Sequence, residues 1–203
     1  MISKKVLAYL EKNGIKYDVI DHRKIFTAYD LAQTLKEDLK KIAKTLLVKA
    51  DKNYILVVLP AHYKLDLVKL KRALKAKKVS IPNEKMLIKV LKVKMGGLTP
   101  FGALHKIQTV VDKSLMNAKE VIINAGSFTQ SLKLKAKDFV DLEKAMLASF
   151  TKNAGYKKPQ VKKEKKPIKK VTKKKPVSKK KSAIKKVIKK KPVAKKKVVQ
   201  KKK

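Results

Sequence analysis

Cysteine is absent from the 203-residue chain, which excludes disulfides, thiolate nucleophiles and cysteine-ligated zinc. Histidine is nearly absent: His22, His62 and His105 are the only three, and none has metal-ligand spacing to another. Acids number 15 against 56 lysines and arginines. They are scattered, so no carboxylate pair points to glycoside hydrolysis or a two-metal centre. Long apolar runs are missing too. The longest, Tyr54 to Ala61, is far shorter than the roughly 20 residues a membrane-spanning helix needs. The opening MISKKVLAYLEKNG lacks the unbroken apolar core and small-residue cleavage site of a secretion signal. These features predict a soluble, cytoplasmic protein with no membrane insertion.

What the chain has in excess is positive charge, +41 in total, and it is unevenly spread. Lys157 to Lys203 holds 25 lysines and one acid, Glu164, leaving 31 basic and 14 acidic residues to the first 156. That C-terminal stretch has no aromatic residue, and its apolar residues are mostly isolated between lysine clusters. It cannot bury enough surface to offset ordering entropy, and its charges repel one another. Pro159, Pro167, Pro176 and Pro192 punctuate it in a loose KKP repeat resembling linker-histone tails. The expected organisation is a folded domain over residues 1–152 and a disordered lysine-rich tail over 153–203. Such a tail suits non-specific binding to nucleic acid.

Within the domain, helical spacing covers Ile2 to Leu10 and stops at Asn13-Gly14. Lys16 to Asp21 alternates as a strand, and Thr27 to Leu39 reads as a helix capped by Thr27. Ala43 to Ala50 and Tyr54 to Leu59 form a predicted hairpin around Asp51-Lys52-Asn53. Helices follow at Asp66 to Leu74 and Asn83 to Leu91. Strands follow at His105 to Val111, Glu120 to Ala125 and Leu132 to Lys135. A closing helix is expected from Asp138 to Phe150, with Phe139, Leu142, Met146 and Phe150 on one side. The predicted class is α/β (α+β): a mixed, partly barrel-like β-sheet flanked by helices.

Three segments in order carry more information: IAKTLLVKADKNYILVVLPAHYKLDLVKL, GGLTPFG and VVDKSLMNAKEVIINAG. With the opening NGIKYDVIDHRKIFTAYDLAQ, they resemble the YbaK family of editing domains associated with prolyl-tRNA synthetase, over roughly Met1 to Phe150. The resemblance implies trans-editing, the hydrolysis of the ester joining a wrong amino acid to its tRNA, without a cofactor or metal. It implies tRNA as the partner, alongside an aminoacyl-tRNA synthetase. It assigns the functional lysine to Lys44 and the G-x-x-x-P loop to Gly96, Gly97, Leu98, Thr99 and Pro100. The small-residue turn lining the pocket falls on Asn124, Ala125 and Gly126, and His22 is set near that pocket. Thr45 follows Lys44 as in the branch handling small amino acids such as cysteine, whereas some alanine-specific members carry asparagine there.

These residue types suit that chemistry. An aminoacyl ester is already activated, so hydrolysis needs a placed water and stabilisation of a developing oxyanion more than a strong nucleophile. Glycine-rich backbone can supply N–H donors at close approach. A lysine ammonium can hold a phosphate or carbonyl oxygen of the terminal adenosine, and the neighbouring ribose hydroxyl can shuttle protons. A small pocket rejects larger side chains sterically, which attraction alone does poorly. Asp112 reads as the cap of a short turn rather than a catalytic acid, and Tyr54 and Phe101 as core or pocket wall. The alternative reading is a non-catalytic nucleic-acid-binding or nucleoid protein with a vestigial editing domain. Lys44 and the intact loop are the features that favour the enzyme.

Overall fold

The computed structural model describes residues 2–93 and 97–154; Gly96 and the lysine-rich tail lie outside them. Chain order is α1 (Lys4–Lys12), β1 (Tyr17–Asp21), α2 (Ala28–Leu35), β2 (Ala43–Ala50), β3 (Asn53–Pro60), β4 (Tyr63–Leu65) and α3 (Leu67–Ala73). It continues through β5 (Val79–Ser80), α4 (Glu84–Leu91), β6 (Gln108–Asp112), β7 (Glu120–Asn124), β8 (Gln130–Lys135), α5 (Ala136–Glu143), β9 (Met146–Ala148) and β10 (Thr151–Asn153).

The caps follow local chemistry. Thr27 Oγ1 accepts the Asp30 N–H at 3.1 Å, Asp66 accepts from Val68 and Lys69 at the head of α3, and Asn83 accepts from Met86 at the head of α4. Each satisfies a first-turn donor that has no partner within its helix.

The strands form three sheets. One runs in the order β5-β2-β3-β6-β9, a second β1-β8-β7, and the third pairs β10 with β4. The expected hairpin is present in full register, from Ala43 opposite Pro60 to Ala50 opposite Asn53. Strand β3 pairs in parallel with β6, and β6 in parallel with β9. The first two sheets meet at a parallel bridge between Ile42 and Ile122, where the Ile122 N–H donates to the Lys41 carbonyl at 2.8 Å. The fold is therefore the mixed α/β class expected, with helices against the sheets.

The main core packs α1 and α5 against β6, β7 and β8 through Leu10, Val111, Ile123, Leu132 and Phe139. Phe101 lies edge-on to both Tyr9 and Phe139, with ring centroids 5.9 and 6.0 Å apart. Phe101 is thus core, as expected.

Three expectations are corrected. The second helix ends at Leu35 rather than Leu39, because Lys36 turns left-handed (φ 55°) and Asp38 then folds over the Lys40 N–H. Strand β6 begins at Gln108 rather than His105; Gly102–His105 is a 3₁₀ turn that ends in left-handed Lys106. The closing helix stops at Glu143, and its tail becomes strand β9. Lys144 adopts φ 46°, and beyond it exposed Met146 and Leu147 precede buried Ala148 and Phe150.

Candidate active site

Six segments separate in sequence converge on a cavity of about 290 Å³. Strand β2 contributes Ala43 to Leu47, the loop before Phe101 contributes Leu98, and the second sheet contributes Asn124 and Ser131. Residues 25–28 and Leu31 close one side, and Ile81, Pro82 and Leu87 another. The inner wall is apolar, with Leu47, Ile25, Leu31 and Leu98 all buried. The rim is aromatic: Phe26 is 66 % exposed, with Lys24 Nζ 5.2 Å from its ring centroid and Phe128 5.7 Å away.

Lys44 lies on β2 opposite Leu59. Its ammonium donates to the Ala61 carbonyl at 3.4 Å and, more closely, to that of Tyr63. Burial lowers its pKa below the ordinary lysine value, and the charge of Lys64 pushes the same way. An ammonium has three N–H donors, and these two carbonyls occupy two.

His22 does not line the cavity directly. Its Nε2 shares a 2.9 Å hydrogen bond with Ser131 Oγ, and its Nδ1 lies 2.9 Å from the Arg23 carbonyl. His22 therefore sits behind Ser131, which does line the cavity.

The loop and the small-residue turn are packed together. Gly126 adopts φ +84°, and a methyl group built on it would sit 3.6 Å from Thr99 Cγ2 and 3.7 Å from the Gly97 carbonyl. The turn is closed by the Gly126 N–H donating to Asn124 Oδ1 at 2.7 Å. Thr99, Pro100 and Ala125 are buried. Ala125 belongs to the main core, and its carbonyl accepts the Ser3 N–H. Of the residues singled out from sequence, Lys44, Leu98 and Asn124 line the cavity, and Gly97 and Thr99 pack against Gly126.

Ser131, Phe26 and Ile81 were not singled out. Phe26 sits in the quoted opening stretch, where an aromatic beside a helix cap is a readable signal; an isolated serine in a strand gives none.

A second cavity, of about 580 Å³, is lined by Lys40, Lys41, Lys119, His62, Asn117 and others. It contains none of the expected site residues. His62 titrates below the ordinary histidine value, chiefly through burial and then through the charge of Lys40. Among the described residues no cluster of three or more histidines and acids gathers, and no helix is long and apolar enough to cross a membrane.

Asp112 is 2 % exposed and fully occupied by structure. One carboxylate oxygen accepts the Ser114 N–H at 2.9 Å and the Ser114 hydroxyl. The other accepts the Phe150 N–H at 2.8 Å. It is a cap that also ties β6 to the turn after β9.

Comparison with known proteins adds to this geometry. A profile of the aminoacyl-tRNA editing domain matches residues 22–142. The prolyl-tRNA editing protein ProX of Acetoanaerobium sticklandii is 28 % identical over 146 residues, covering 69 % of this chain and 89 % of ProX. The multifunctional Ser/Thr-tRNA deacylase ProXp-y of Escherichia coli K12 is 23 % identical over 155 residues, covering 74 % and 93 %. A crystal structure described as a candidate trans-editing enzyme for prolyl-tRNA synthetase superposes with a TM-score of 0.66 at 21 % identity, over 75 % of this chain and 100 % of that one.

Proposed function

The chain belongs to the aminoacyl-tRNA editing domain family, and from that premise we propose that it hydrolyses mischarged aminoacyl-tRNA in trans, with its tail holding nucleic acid. The observation that carries this is the cavity, in which Lys44, Leu98 and Asn124 from three distant segments share one small, mostly apolar space.

In this reading the aminoacyl group enters against Leu47 and Leu98. The ester carbonyl lies near the loop backbone, and Phe26 covers the mouth. Water attacks the carbonyl carbon, the carbonyl oxygen takes up negative charge, and collapse expels the ribose oxygen, which leaves with a proton. The products are a free amino acid and tRNA with its terminal hydroxyl restored. Preorganised N–H donors around the oxyanion lower the barrier because they need no reorganisation during the step. Lys44 retains one donor beyond the Ala61 and Tyr63 carbonyls, and the reading assigns that donor to a substrate oxygen.

In this reading small amino acids are selected by steric exclusion at the inner wall of Leu47 and Leu98. The names of ProX and ProXp-y point to tRNA charged in error with small residues such as serine or threonine, with proline tRNA as one carrier. The 25 tail lysines bind phosphate without reading bases, and the setting of the reaction is the cytoplasm, beside a synthetase.

The test is a panel of tRNAs charged with alanine, serine, threonine or cysteine, incubated with the full chain and with Lys44→Ala. The unaltered chain should release at least one amino acid. The variant should be slower by about 10²-fold, the usual cost of removing one oxyanion donor. A folded Lys44→Ala protein with the unaltered rate would overturn the assignment.

A further inference from the structure

Glu143 stands where stability alone would not put an acid. It is the last residue of α5, whose final turn carries no basic residue, and negative charge at a helix C-terminus opposes the helix dipole. Its Oε1 is buried, with the Tyr9 hydroxyl as its polar neighbour. The Tyr9 hydroxyl also lies 3.5 Å from the Leu142 carbonyl. Burial first, then the charge of Glu143 and a hydrogen bond to its carboxylate, push the Tyr9 pKa up to about 12. An acid held at this unfavourable helix end has its reason in what its other oxygen binds.

The other oxygen shows what that reason is. Glu143 Oε2 accepts the Thr109 hydroxyl at 2.9 Å and the Ala103 N–H at 3.1 Å. Thr109 is 2 % exposed, and its Oγ1 in turn accepts the Gly102 N–H at 3.2 Å. A hydroxyl has one hydrogen. The charged acceptor at 2.9 Å claims it over the Pro100 carbonyl at 3.4 Å, since hydrogen bonds to ionised acceptors are roughly twice as strong. The lone pairs of Thr109 are then left facing Gly102. This close approach needs glycine, because a methyl at residue 102 would fall 2.4 Å from Thr109 Oγ1 and 2.2 Å from the Ile107 carbonyl.

We infer that Glu143 and Thr109 are positioning residues for the editing cavity, holding Pro100 to Ala103 so that Leu98 and the Gly97 backbone are presented to the substrate. This rests on the hydrolase reading above. Proline restricts φ at residue 100, so fixing Pro100 to Gly102 also fixes the direction in which Thr99, Leu98 and Gly97 leave. Neither side chain lines the cavity, and both act through the loop.

The test measures single-turnover deacylation by the full chain on whichever charged tRNA of the panel it accepts. Variants are Thr109→Val, Thr109→Ser, Glu143→Leu and Glu143→Gln. Thr109→Val and Glu143→Leu should slow the chemical step by about tenfold or more, since small misplacements cost up to about 10²-fold, while tRNA affinity stays within about twofold. Serine at 109 and glutamine at 143 keep the donor or acceptor oxygen and should restore the rate. Amide exchange at residues 98–103 should quicken in the valine and leucine variants alone, and the Glu143 pair decides the matter if Thr109→Val does not fold. Unchanged rates in folded Thr109→Val and Glu143→Leu, or serine and glutamine variants as slow as these, would overturn the inference. An unaltered chain that turns over no charged tRNA would instead sink the hydrolase reading, and the inference with it.

Discussion

Replacing Asp112 with alanine separates structure from chemistry, because this buried carboxylate lies on β6 yet contacts no residue of the cavity lining. Three donors converge on it: the Ser114 N–H, the Ser114 hydroxyl and the Phe150 N–H. Alanine removes both acceptor oxygens, and with them all three hydrogen bonds. The hydroxyl can rotate and the Ser114 N–H is only partly buried, so both can recover part of their loss from water. The Phe150 N–H is buried beside a fully buried ring and cannot. Leaving one such donor unsatisfied costs about 1–3 kcal/mol, and each hydrogen bond to a charged acceptor contributes about 1.5–3 kcal/mol. A net loss of about 3 kcal/mol follows, or about 9 °C in Tm for a domain of this size. Asparagine keeps one acceptor and turns an amide donor toward the other side, so it should lie between alanine and the native residue. Urea unfolding of the full chain, followed by far-UV circular dichroism, measures the loss. Single-turnover deacylation at 25 °C should remain within about twofold. A stability loss below about 1 kcal/mol, or a folded Asp112→Ala protein that no longer deacylates, would refute the capping role.

Two further outcomes follow from charge. His62 and His105 both titrate below the ordinary histidine value, mainly through burial, with Lys40 and Lys5 the next causes. Their folded pKa values lie below the unfolded value near 6.5, so stability is complete above about pH 6.5. It falls as pH drops below that, because the unfolded chain takes up protons first. A His62→Gln/His105→Gln double variant should flatten the fall in urea midpoint between pH 7 and 5, and an unchanged slope would refute the assignment. Truncation after Tyr156 removes 25 lysines and should weaken tRNA binding and flatten its log–log salt dependence, which runs at about −0.7 to −0.9 per phosphate neutralised. The rate at saturating tRNA should hold. Equal affinity and equal salt slope for both proteins would show that the tail serves something other than tRNA.

Elements whose signals are local were legible in the sequence. Thr27, Asp66 and Asn83 cap helices within their own first turns, and the Asp51 turn joins two strongly apolar strands, so neighbouring residues decide each outcome. The closing helix misled because Phe139, Leu142, Met146 and Phe150 keep helical spacing while two different elements use them. Phe139 packs in the main core and Phe150 in the cluster around Leu59 and Leu70. What interrupts the helix is a left-handed lysine, a residue type with no turn signature. Short strands β4, β5 and β10 escaped for a related reason, since two or three residues carry no period and exist only by pairing with distant partners. At the site, Lys44 and the glycine loop were found through resemblance to a family. Glu143 and Thr109 had no signal at all, because they meet only when α5 docks on β6.

The strand partners also constrain how the chain reaches its native state. Tyr17 pairs with Leu134, Tyr63 with Asn153, and Ser3 donates to Ala125. Nearly every sheet therefore waits for residues made late in synthesis, and the final pairing, β10 on β4, waits for the last described strand. Loop closure over such separations must precede the contacts that reward it, which slows folding relative to a domain built on local contacts. The β3 edge of the largely apolar β2–β3 hairpin is covered only by pairing with β6, and left unpaired it is the kind of edge open to association with other chains. On a growing polypeptide the lysine segment is made only after Asn153, so every strand among the described residues has been synthesised while that segment is still being added.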